Sequence, residues 1–134
     1  MTASAFFKPQ ALALQYNQIT HVGLCTVDPG DDNDPDAEVK VLAWPSYQRV
    51  PIEAGSFWSN PARLSDDAWE IENLAQINFP LNDGPENVLV TYIGYWDAED
   101  EGNLIARVAM ATPKVLEPGD GAACAIGSLR LRVR

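Results

Sequence analysis

One histidine, two cysteines and nineteen carboxylates are the side chains in this sequence with the chemistry for catalysis or metal binding. His21 stands in Ile19-Thr20-His21-Val22-Gly23 with no nucleophile beside it, so it reads as a strand histidine satisfied by a neighbour rather than as a general base. Asp32, Asp34, Asp36 and Glu38 alternate as in calcium-binding loops. An EF-hand counted from Asp32 would need Gly and Glu where Ala37 and Ala43 stand, so a solvated charged loop is expected instead. Asp66, Asp67, Glu70, Asp97, Asp100 and Glu101 could supply a carboxylate pair for glycoside chemistry, yet acids are too abundant for any pair to stand out. Cys25 and Cys124 lie in apolar runs, where core packing is expected and a disulfide between neighbouring strands is the alternative. A phosphate-binding glycine loop, a Cys-x-x-Cys and a nucleophile elbow are all missing from the sequence. The expectation is a non-enzymatic protein with no catalytic, cofactor-binding or metal-ligating residues.

Adhesion is the chemistry these residues suit better. Four tryptophans are present, Trp44, Trp58, Trp69 and Trp96; Trp96 reads as core, and exposed ones such as Trp58 or Trp69 would anchor a protein partner or a sugar ring. Phe6 and Phe7 sit on an N-terminal segment able to bridge to a neighbour. Arg130, Arg132 and Arg134 make up a third of the nine basic residues. They have two readings: the wet face of an edge strand, where charge blocks unwanted pairing, or a basic strip that meets an acidic surface such as another copy's Asp31 to Glu38 loop. Phe6, Phe7, Trp58, Arg130, Arg132 and Arg134 are thus the candidate interface residues.

Short strands must position these groups. Helical spacing is scarce: Ala5 to Gln18 reads as a short helix or an ordered arm, with Pro9 suited only to a first turn. Ile19 to Val27 is β-prone and ends at Asp28-Pro29-Gly30, a turn. Strands are expected at Val39 to Trp44 and Tyr47 to Ile52, while Glu53 to Asn73 has no clear pattern. Ala75, Ile77 and Phe79 alternate with polar residues. Val88 to Trp96 is apolar on both faces, and Leu104 to Thr112 is its expected hairpin partner across the acidic Ala98 to Asn103 connection. Leu129, Leu131 and Val133 alternate with the three arginines. About eight short strands predict an all-β fold, an antiparallel β-sandwich or jelly roll, with residues 1–18 as arm or helix and 19–134 as a single sandwich domain.

Size and charge bound what such a fold can do. A chain of 134 residues suits one domain with a real core, and 46% hydrophobic with 21% charged residues argues against disorder. A net charge of −10 repels phosphate backbones and anionic membranes, so neither nucleic acid nor membrane is an expected partner. Met1 to Gln10 lacks the layout of a signal peptide, which points to a cytosolic origin.

Ile77-Asn78-Phe79-Pro80, the Val90 to Ala98 strand with its Asp97-Ala98 end, Gly102-Asn103-Leu104-Ile105 and Gly127-Ser128-Leu129 together resemble a family of small tailed-bacteriophage virion structural proteins, tail-fibre-like or capsid-decorating. The resemblance is concentrated in Ala75 to Val133, with Tyr47 to Val50 as an earlier anchor. Glu101 departs from it where a second glycine is usual, and the acidic loop and the Phe57 to Trp69 stretch have no counterpart. The resemblance implies a structural role in a virion, assembled in the bacterial host cytoplasm. Its partners would be other virion proteins, the major capsid protein or tail proteins, together with self-association into an oligomer. A capsid decoration (cement) protein is the first expectation and a tail or tail-fibre component the second. A carbohydrate-binding module using exposed tryptophans is the reading from a different class.

Overall fold

A computed structural model of the chain describes residues 7–133. Its first element is α1 (Phe7–Tyr16), in which Pro9 falls within the first turn, where its missing N–H costs no intrahelical bond. The helix buries Leu12 completely and lies against the last strand of the chain and that strand's sheet neighbour at 69–72. Nine strands follow among the described residues: β1 (His21–Cys25), β2 (Val50–Pro51), β3 (Ala62–Arg63), β4 (Trp69–Glu72), β5 (Ile77–Phe79), β6 (Val88–Trp96), β7 (Leu104–Leu116), β8 (Ala122–Cys124) and β9 (Arg130–Val133). A single-turn helix, α2 (Ala54–Phe57), stands between β2 and β3.

All pairings are antiparallel, in three sheets ordered β2-β1-β6-β7, β3-β4-β9 and β5-β8. This is the all-β sandwich the alternation predicted. One apolar cluster joins Val22 and Leu24 of β1 and Ile93 and Tyr95 of β6 to Ile71 of β4, Leu131 of β9 and Leu12 of the helix. The other face of the four-stranded sheet is closed differently. Gly23 and Gly94 are register partners, and a Cβ on either would run into the Trp96 ring, which lies flat across this pair of positions. Glycine there is a requirement of close approach, not of turn geometry.

Several expectations fail in instructive ways. Val39 to Trp44 is not a strand: after a single bridge between Cys25 and Glu38 the chain turns at 41–44. The indole of Trp44 donates to the Leu81 carbonyl at 2.9 Å, and the backbone of Ala43 fills the space where a Cβ of Gly84 would stand. A tertiary dock between two turns thus overrides strand propensity. Tyr47 to Ile52 shrinks to Val50–Pro51 because Tyr47 and Arg49 turn inward to polar partners. In the other direction, β7 runs four residues past Thr112, through Pro113, which an edge strand tolerates. The register slips between Val90 and Tyr92, where β7 carries extra residues. The unpatterned Glu53 to Asn73 stretch holds α2, β3 and β4.

Two fully buried asparagines hold the connections. Asn73 donates to the Ala75 and Ala125 carbonyls and accepts from the Leu129 N–H, fixing the turn that launches β9. Asn82 donates to the Glu86 and Leu116 carbonyls and accepts from the Gly84 N–H. Each side-chain amide stands in for main-chain partners that the irregular backbone lacks.

Candidate interaction surfaces

The C-terminal arginines lie on β9, an edge strand whose register places Arg130 opposite Glu72 and Arg132 opposite Glu70. Arg132 Nε donates to Glu70 at 2.6 Å, and Arg130 reaches Glu70 at 3.5 Å and Glu72 at 3.8 Å. The strip is therefore compensated across the strand pair within the chain, which favours the edge-strand reading over a free basic surface. Arg134 and Phe6 lie outside the described residues. Phe7 is 58% exposed at the start of α1.

The tryptophans correct a second expectation. Trp58 is 5% exposed and packs edge-on against Phe57 at 4.8 Å between ring centroids, so it is a core residue and not an outward anchor. Trp44 and Trp96 are buried as well, and Trp69 is half-buried on β4. Three of the four tryptophans are thus buried, which leaves Trp69 alone partly open to a sugar ring.

Sequence patterning did not reveal the charged knot beneath the acidic loop. Arg49 forms a bidentate pair with Glu38, Nε to Oε2 at 2.9 Å and Nη2 to Oε1 at 2.8 Å. Its remaining nitrogen donates to the Ala98 and Glu101 carbonyls, and its guanidinium lies 4.0 Å above the Trp96 ring. Tyr47 Oη donates to Glu38 at 2.6 Å and accepts from the Leu24 N–H, and its burial beside that carboxylate pushes the phenol well above its ordinary range. One cation thus fastens the 28–38 loop, the Tyr47–Val50 stretch and the 97–102 loop to the sheet. Asn33, in the left-handed region at φ 54°, accepts from the Trp96 indole and donates to the Gly102 carbonyl. The available signal was an arginine inside the strand-prone Tyr47 to Ile52 stretch, eleven residues after a glutamate.

The alternating acids of that loop do not converge on one point. Glu38 turns inward to Arg49, Asp36 pairs with Lys40 at 2.8 Å, Asp34 accepts from the Asp36 N–H, and Asp31 meets Arg107 at 2.6 Å. Among the described residues no group of three or more His, Cys, Asp or Glu side chains is arranged to hold a metal ion. His21 Nδ1 is 2.8 Å from the Thr20 hydroxyl, a local contact that leaves no catalytic pair. Both cysteines are free, so the disulfide alternative does not hold, and burial pushes the Cys25 thiol up to about 12.

Apolar residues gather at the opposite end of β6 from the acidic loops. Leu42 is 90% exposed and Leu81 is also exposed, whereas the exposed Val41 lies on the other side, beside Glu99 and Asp100 of the acidic loop. Leu42, Ala43 and Pro85, with Lys40 and Glu86 at their side, line an open cleft of about 510 Å³ between the two docked turns. The strand expected at Val39 to Trp44 gave no sign of this surface. The molecule offers an acidic end, exposed leucines at the opposite end and an edge on either side of each sheet, and among the described residues no reactive group enters a cleft with a base beside it.

A family model described as podophage GP4 fiber I protein gp80 matches residues 5–132. No curated protein matches the chain. The match extends over the acidic loop and the Phe57 to Trp69 stretch as well as the region from Ala75 to Arg132. By that match the chain belongs to the podophage GP4 fiber I protein gp80 family, a family of tailed-phage virion structural proteins.

Proposed function

We propose that this chain is a non-enzymatic fibre component of a podophage virion, folded as one unit and joined to other virion proteins through its apolar end and its strand edges. The observation that carries the reading is the family match over residues 5–132, whose description names a fibre. That description favours the tail-fibre alternative over the capsid-decoration role ranked first from sequence. The geometry supports it in a second way. Burial of Trp44, Trp58 and Trp96 leaves little of the aromatic platform on which a carbohydrate-binding module would depend, and the exposed Leu42 and Leu81 offer apolar area to a protein partner. Folding as one unit is supported by a core that draws on the helix and the last strand alike. Assembly in the host cytoplasm agrees with the free cysteines, which need no oxidising compartment.

Quantitative mass spectrometry of purified virions, combined with immunogold labelling, tests the assignment. A fibre component gives few copies per particle and label at the tail. Label spread over the shell with copy number scaling with the major capsid protein would establish decoration instead. Carbohydrate binding would need glycan-array signal that a surface substitution abolishes.

A further inference from the structure

We propose that two copies of this chain pair antiparallel through the outer edge of β7, with Val108 of each copy on the two-fold axis.

β7 is the thirteen-residue edge strand of the four-stranded sheet, and every residue in it except Leu116 keeps some exposure. Its hydrogen-bonding direction can be assigned. The Trp96 carbonyl accepts from the Thr20 N–H, so Trp96, Gly94 and Tyr92 bond toward β1, while Tyr95 and Ile93 bond toward β7. Their register partners Ala106 and Val108 therefore bond inward, and Arg107 and Ala109 turn their N–H and C=O groups outward. The outward carbonyl of Ile105 is met by Gln15 Nε2 of the helix at 3.1 Å, an amide in the place a neighbouring strand would fill. Beyond it, no backbone hydrogen bond from outside the sheet reaches Arg107 or Ala109 among the described residues. An open groove of about 480 Å³ runs beside this edge, lined by Ile105, Val108 and Leu131 together with Gln15, Asp28 and Arg132.

A second copy fits this edge for three reasons. Centring the pairing on Val108 sets Arg107 against Ala109 of the other copy twice over, which satisfies all the outward groups of the segment in two doubly bonded pairs. The same register keeps the two Arg107 side chains from facing each other and brings the two Val108 side chains together as a β-branched cross-strand pair on the groove side. β7 itself carries no acidic residue in a chain of net charge −10, and the acids beside it, Asp28 and Asp31, are paired with Arg107, so a copy approaching here meets little unpaired like charge. The slipped register and Pro113 end the ladder on one side, and the Gln15 cap ends it on the other. The contact is short and suits the high local concentration of an assembly. It holds wherever in the virion the chain is placed.

Val108→Cys in a Cys124→Ala background tests the register in the full-length chain. Cα atoms of a non-hydrogen-bonded pair lie about 4.5 Å apart, within disulfide range, so mild oxidation should convert the purified protein to a covalent dimer. Ala106→Cys, whose partner in this register is Met110, should not cross-link. Independently, sedimentation equilibrium should show a reversible dimer of the unsubstituted protein that Ala109→Pro weakens at least tenfold, with circular dichroism confirming the fold. A monomer at all concentrations, equal cross-linking of the two cysteine variants, or a dimer indifferent to Ala109→Pro would each overturn the proposal.

Discussion

Replacing Arg49 with methionine removes a charge while keeping an apolar stem over Trp96, and the expected loss is large. The Arg49 and Glu38 side chains are 7% and 20% exposed, so the pair belongs with buried ion pairs. Removing one partner of such a pair costs roughly 3–5 kcal/mol, because the other charge is left desolvated. Here the same substitution also strips donors from the Ala98 and Glu101 carbonyls. For a chain of this size, at about 3–4 °C per kcal/mol, the midpoint of thermal unfolding should fall by about 10–20 °C. Urea melts give the free energy directly. A double-mutant cycle with Glu38→Gln should show that the two losses do not add, since each single change breaks the same pair and leaves its other member without a counter-charge. Hydrogen exchange supplies a local readout. The Asp97 and Asn103 amides, which bond across the loop that Arg49 fastens, should lose protection first. A loss under about 1 kcal/mol, the scale of a surface pair, or additive changes in the cycle, would refute the idea that this cation organises the acidic loops.

Cys25 should resist thiol reagents at pH 8 in the folded protein and react on unfolding in urea, since its thiol is pushed up to about 12 by burial and by Glu38; rapid labelling of the native protein at Cys25, read by peptide mass spectrometry, would contradict this. Gly94→Ala should cost about 1–3 kcal/mol in urea melts by forcing the Trp96 ring out of its seat. Gly55→Ala, whose new methyl meets nothing within 4 Å, should be neutral or stabilising by up to about 1 kcal/mol. Asp97 is held below the ordinary aspartate range by the Asn103 side-chain and backbone donors. Its folded-state value is depressed, so its contribution is present above the unfolded pKa and lost as pH falls through the folded one; an NMR titration midpoint at or above that of an unstructured aspartate would be inconsistent with these bonds.

What the sequence disclosed follows the range of the interactions involved. The β6–β7 hairpin, the β5 alternation and the inward Leu129 and Leu131 of the last segment are legible because period-two burial is a local pattern that both sheet faces reinforce. Val39 to Trp44 has the same composition and is a turn, because Trp44, Ser46 and Gly84 lock it onto the 81–84 turn some forty residues away. No window of neighbouring residues contains that information. Trp58 misleads for a related reason: it follows an irregular helix, where alternation gives no inside and outside, and its burial is decided by Phe57 and Tyr95. Arg49 and Glu38 are the reverse case. As residue types they predict exposure, and they are largely covered because each is the other's partner and Trp96 roofs the pair.

Charge distribution decides between two ways that copies could meet, and salt distinguishes them. Lys40, Arg49, Arg63, Arg107, Arg130 and Arg132 each sit within ion-pair distance of a carboxylate of the same chain. The basic residues are thus largely spent internally, and what neighbours meet is mostly uncompensated acid at a net charge of −10. Head-to-tail docking of the C-terminal arginines onto another copy's Asp31 to Glu38 loop would require breaking the Glu70 pairs, and its attraction would weaken as salt screens it. Pairing through β7 gains from backbone hydrogen bonds and valine contact and is opposed only by the mutual repulsion of two acidic bodies. That repulsion reaches about 30 Å at 0.01 M ionic strength and about 8 Å at 0.15 M. The dimer should therefore tighten as salt rises from low to physiological concentration, measured by sedimentation at fixed protein concentration. A dimer that dissociates over that range would show that opposite charges, and not the strand edge, hold the copies together.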